Sequence, residues 1–76
     1  MVHEIEIMSL GYYASQKKTL ILGRYVLKFH RRKNSKKNMY FYIVNLYHDD
    51  KLVRSGIFTE YRNAVIFAGS IIYKLL

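Results

Sequence analysis

The chain contains no cysteine, no proline and no tryptophan. Without cysteine there is neither a disulfide framework nor a thiolate metal site to offset small size, a composition that fits a reducing compartment. Without proline, internal repeats or low-complexity runs, nothing marks a linker, so residues 1–76 are expected to form a single domain. Acidic side chains are scarce: five Asp and Glu stand against thirteen Lys and Arg, and none lies between Ile7 and His48. The longest apolar stretch, 64–76, is shorter than the roughly 20 residues that cross a bilayer and contains Lys74. It reads as a core helix, and no membrane span is expected. The first ten residues carry Glu4 and Glu6 in place of a basic start and an apolar run. That excludes a secretory signal pattern and makes an intracellular, cytoplasmic location the expectation.

What is present is apolar and basic. Hydrophobic residues make up 51% of the chain, with eight Tyr and four Phe, which is too rich for intrinsic disorder despite a formal net charge of +8. A chain this short buries only about 60% of its unfolded surface, so the core must be dense, with room for one sheet and one helix. Lys17, Lys18, Arg24, Lys28, Arg31, Arg32, Lys33, Lys36 and Lys37 all fall in the acid-free stretch. Such segregation makes a one-signed field that attracts phosphate polymers or acidic surfaces and repels itself until a partner neutralises it.

Residues 2–10 alternate Ile5 and Ile7 with Glu4 and Glu6, the period of a half-buried strand, and 11–18 read as a loop. Residues 19–30 set Tyr25, Leu27 and Phe29 on one face and Arg24, Lys28 and His30 on the other, a second strand. A third run, 39–48, is apolar on both faces, so its orientation must follow from its turns. Asp49 and Asp50 suit a hairpin turn that sets Leu46 opposite Val53. The preceding hairpin, closed through 31–38, brings Phe29 opposite Tyr40, Leu27 opposite Tyr42 and Tyr25 opposite Val44. Thr59 as N-cap, Glu60 at the positive end of the dipole and the spacing of Tyr61, Ala64, Val65, Ala68, Ile72 and Leu75 predict a helix over 59–75. Its stripe should pack on Leu27, Phe29, Val44, Leu46 and Val53. The expected fold is α+β: a small antiparallel sheet of three to four strands with one C-terminal helix packed on one face.

The other sheet face is then expected to stay open and to carry Arg24, Lys28, His30, Phe41, Ile43, Asn45, Tyr47 and Arg54. Cations on such a face neutralise phosphates, Asn and Arg can hydrogen-bond base edges, and aromatic rings can stack on bases. Arg31, Arg32, Lys33, Lys36 and Lys37 crowd the hairpin tip as a phosphate-gripping finger, with Asn34, Ser35 and Asn38 forming the turn. Lys17 and Lys18 extend this surface only if their loop lies beside it. The bland alternatives are a solvated charged loop at the tip and a face covered by the first strand or by a protein partner. Ile66 and Phe67, on the far side of the helix, are candidates for a homodimer contact.

The order of sheet, then GIFTEYRNAVIFA, then chain end loosely resembles the AP2 and integrase N-terminal type of DNA-binding domain, with Gly56, Phe58 and Ala64 at matching spacing. The chain lacks that family's tryptophans and has Glu60 where Thr is usual. The resemblance implies a three-stranded antiparallel sheet backed by one helix, DNA in preference to RNA, and Arg24, Lys28, Asn45 and Arg54 in the major groove. The expected function is that of a small basic nucleic-acid-binding protein, non-enzymatic and without a cofactor. The alternative is a compact protein-binding inhibitor or adaptor of viral or mobile-element type, clamping an acidic surface of a host nucleic-acid-handling complex. His3, His30 and His48 sit on separate segments, and a turn explains Asp49 and Asp50, so no catalytic or metal-binding pattern emerges.

Overall fold

A computed structural model describes residues 3–76. The elements are α1 (Glu4–Lys17), β1 (Thr19–Leu22), β2 (Tyr25–Asn34), β3 (Met39–His48), β4 (Lys51–Phe58) and α2 (Tyr61–Leu75). The strands form one antiparallel sheet in the order β1-β2-β3-β4. Both helices pack on the same side of it, where Leu27, Phe29, Val44 and Leu46 meet Ala64, Val65, Ala68, Ile71 and Ile72 of α2 and Ala14 of α1. Burying each of the larger of these side chains stabilises the fold by about 1.5–3 kcal/mol. The α+β class and the C-terminal helix match the sequence reading, whereas the N-terminal helix is an addition to it.

α1 stands where a strand and a loop were expected over 3–17; Val2, the first residue of that expected strand, lies outside the described residues. The alternation of Ile5 and Ile7 is incidental, since Ile5 stays 81% exposed. Glu4 and Glu6 instead occupy the first helical turn, where carboxylates favour the positive end of the dipole. The helices run antiparallel in close contact. The His3 ring lies 4.9 Å from that of Tyr73, Gly69 abuts the Ile7 carbonyl, Gly11 abuts the Val65 carbonyl, and the Ser15 and Tyr61 hydroxyls share a 2.5 Å hydrogen bond. Positions 3, 7, 11 and 15 thus oppose 73, 69, 65 and 61, the four-residue spacing of one helical face.

The expected second strand is in fact a hairpin broken at Gly23 and Arg24, with Leu22 opposite Tyr25. β2 therefore begins at Tyr25 and continues to Asn34, well into the stretch expected to be a loop. It pairs with β3 four residues out from the expected register: Phe29 lies opposite Val44, Leu27 opposite Leu46 and Tyr25 opposite His48. Because the shift is even, every side chain keeps its expected face.

At the far turn Asp49 and Asp50 both adopt positive φ, 50° and 69°, the geometry that a tight hairpin turn requires. Tyr47 faces Leu52 as expected, but a bulge follows, and Leu46 meets Arg54 in place of Val53. One extra residue reverses the facing of everything after it. Gly56 and Phe58 turn toward the helices, while Val53 and Ile57 are left 52% and 66% exposed. Val53 is thus outside the core it was expected to join. α2 starts at Tyr61 with Glu60 as its N-cap residue, so Thr59 does not cap it.

Candidate nucleic-acid interface

β1 pairs with β2 only over residues 25–28, and β4 pairs with β3 only over 42–48. The rungs Arg32–Phe41, Lys33–Tyr40 and Asn34–Met39 consequently have no strand on either side. At about 3.3 Å per residue they project roughly 10 Å past the sheet as a two-stranded ribbon, closed by a turn over residues 35–38. Asn34 forms that turn with its side-chain oxygen accepting the Lys36 amide at 3.1 Å, and Asn38 closes it at a φ of 52°.

The ribbon carries Arg32, Lys33, Lys36 and Lys37, with Arg31 at its base. The Arg31 guanidinium lies 4.4 Å from the centre of the Tyr40 ring across the strand pair, a cation–π contact that holds the base without neutralising the charge. Among the described residues, basic groups meet carboxylates at His3–Glu6, Arg24–Asp49 and His48–Asp49, none of them on the ribbon. Lys17 and Lys18 belong to the same end of the molecule: α1 leads into β1 beside β2, where the Lys18 carbonyl accepts the Phe29 amide at 2.8 Å. The sequence left their placement open because it gave no sign of the helix that delivers them.

The open sheet face holds Lys28, His30 and Arg32 along β2 beside Phe41, Ile43, Asn45 and Tyr47 of β3. Lys28 lies 5.4 Å from the centre of the Tyr47 ring, and the Ser55 hydroxyl donates to the Asn45 side-chain oxygen at 2.7 Å. Two residues expected here are elsewhere. Arg24 sits in the β1–β2 turn at the opposite end from the ribbon, 3.8 Å from the Asp49 carboxylate. Arg54 is turned by the bulge to the helix side, 5.3 Å from the centre of the Phe67 ring. Arg24, Lys28 and Arg54 therefore do not share a face.

The two residues expected at a dimer contact line one hollow together with Arg54, Phe58 and Ser70. Phe67 is half-buried between Arg54 and Phe58, whose ring centre is 5.2 Å away. Ile66 stays exposed beside Ile5, Met8 and Tyr12 of α1. The histidines are dispersed: His3 beside Glu6, His30 on the open face, and His48 with its ring 4.5 Å from that of Tyr25 and tilted at 40°. No helix among the described residues is long and apolar enough to cross a membrane. No protein-family model matches this chain, and neither the curated proteins nor the solved structures yield a match.

Proposed function

We propose that the protein binds nucleic acid without catalysing a reaction on it, gripping the phosphate backbone with the β2–β3 ribbon. The observation that carries this reading is the free-standing position of the ribbon: Arg32, Lys33, Lys36 and Lys37 project beyond the sheet with no carboxylate in ion-pair range among the described residues. Arg31, Lys17 and Lys18 extend the same field at its base, and Lys28 and His30 carry it along the open side of β2. Like charges at this density repel one another, and phosphate neutralises them while releasing its condensed counterions. The major groove of B-DNA, about 12 Å wide, admits a two-stranded ribbon, whereas that of A-form RNA is too narrow for side chains. DNA is accordingly the favoured partner. Asn45 and Tyr47, farther along the open face, are placed to follow the ribbon onto the duplex edge.

The test is a titration of a DNA duplex by fluorescence anisotropy across a salt series. The four ribbon cations and Arg31 at its base, each on a phosphate, give a log-affinity against log-salt slope of about −4 to −5. The absence of binding at about 50 mM salt contradicts the proposal. That outcome would favour the second reading, an inhibitor or adaptor of viral or mobile-element type. Its support is the aliphatic part of the open face, where Ile21 and Ile57 are 75% and 66% exposed next to the cationic line of Lys28, His30 and Arg32. An acidic protein surface with an apolar centre complements such a face.

A further inference from the structure

On the helix side of the ribbon's base, a cleft of about 460 Å³ opens between the end of α1, β2 and the first turn of α2. Its size falls within the roughly 300–1,000 Å³ of small-ligand sites. It is lined by Ser15, Lys18, Phe29, Arg31, Tyr42 and Tyr61, with His30 at the strand edge. No carboxylate lines it. The aromatic floor is built from rings at steep angles: Tyr61 stands 5.3 Å from Tyr42 at 65° and 6.1 Å from Phe29 at 69°. Phe29 is buried in the core, but Tyr61 remains 38% exposed and Tyr42 half-buried, so both offer ring surface to the cleft. The Ser15–Tyr61 hydrogen bond fixes the Tyr61 ring across the helix pair.

Ring surface, two cations and three hydroxyls around one hollow match the chemistry of a nucleotide: a flat base, a phosphate and a sugar. We propose that this cleft takes one unstacked nucleotide, its base against Tyr61 and Tyr42 and its phosphate between Lys18 and Arg31. This inference rests on the nucleic-acid reading above, and it assigns the helix side of the ribbon a ligand distinct from the duplex backbone. A paired base inside a duplex does not reach the cleft, so the site selects single-stranded segments or junctions. Stacking of one base on an aromatic side chain is sequence-tolerant, because every base has a π-face.

The experiment is an NMR titration of the isotopically labelled full chain with an oligothymidylate of about 12 nucleotides, within the usual range of single-strand site sizes, and in parallel with a duplex of equal length. Both oligonucleotides are expected to move the amide resonances of the ribbon, its base and the open face, while the single strand alone moves those of Ser15 and Tyr61 in the cleft. The single strand should bind about fivefold tighter or more, the gain expected from stacking one base. Tyr61→Leu should remove that preference, with the dispersion of its own spectrum reporting that it folds; Ser15→Leu, which fills the cleft without removing a ring or a charge, should do the same. If both oligonucleotides bind and neither moves Ser15 or Tyr61, the cleft site is overturned and the ribbon reading stands. If neither binds at about 50 mM salt, both fail together.

Discussion

Gly11 and Gly69 let two backbones touch where side chains would hold them apart. A methyl group added at Gly69 would overlap the Ile7 carbonyl oxygen, and one at Gly11 the Val65 carbonyl oxygen; both obstacles are backbone, which has no rotamer by which to yield. Gly69→Ala gains about 1 kcal/mol of helix propensity, yet overpacking of this kind costs about 1–3 kcal/mol or more. The expected outcome is a net loss of stability, read as a lower urea midpoint with an unchanged slope; a neutral or stabilised variant contradicts the antiparallel helix contact. Gly11 also shows why α1 was hard to see. In a sequence, glycine after an alternating run marks a turn, and its use here depends on Val65, 54 positions away in the chain. Arg54 was misplaced for a comparable reason: Val53, Ser55 and Ile57 read as well inward as do Arg54, Gly56 and Phe58. Only the bulge decides between the two sets.

The elements differ in how much they bury. α2 contributes six buried residues, from Ala64 to Ile72, and lies directly on the sheet, whereas α1 buries only Gly11 and Ala14 fully and packs chiefly on α2. Local opening follows such differences in burial. In native-state hydrogen exchange, the amides of residues 8–14 are expected to exchange at a lower free energy than those of Val44 and Leu46, which should require global unfolding. Equal protection in α1 and β3 would show the helix pair and the sheet to be one cooperative unit. The same asymmetry governed what the sequence could reveal. The stripe of Ala64, Val65, Ala68 and Ile72 made α2 legible, as did the two aspartates of the far turn, because each signal is local. The faces of β2 and β3 survived a wrong register because the error was even. The splitting of 19–34 into β1 and a long β2 was not legible, since Gly23 and Arg24 interrupt a run of β-prone residues that reads as one strand.

At the scale of the whole molecule, charge is sorted along the long direction of the sheet. Asp49 and Asp50 occupy the turn farthest from the ribbon, and Glu4 and Glu6 lie at the end of the helix pair where His3 meets Tyr73. Glu60 is the acid nearest the ribbon's base, at the start of α2, where it accepts a hydrogen bond from Asn63 at 3.4 Å. The ribbon, the end of α1 and the open side of β2 hold Lys17, Lys18, Lys28, Arg31, Arg32, Lys33, Lys36 and Lys37. If this arrangement serves a phosphate polymer, the location of a cation matters and the sum does not. The most direct test compares two charge-matched variants for affinity toward one DNA duplex at a fixed low salt. Lys33, Lys36 and Lys37→Ser removes three charges from the ribbon; Arg24, Lys51 and Lys74→Ser removes three from elsewhere. The account predicts that the first weakens binding by on the order of tenfold or more and flattens the salt dependence by about 0.9 per cation, while the second changes little. Equal losses in the two variants would contradict it, because binding would then follow net charge and not the ribbon.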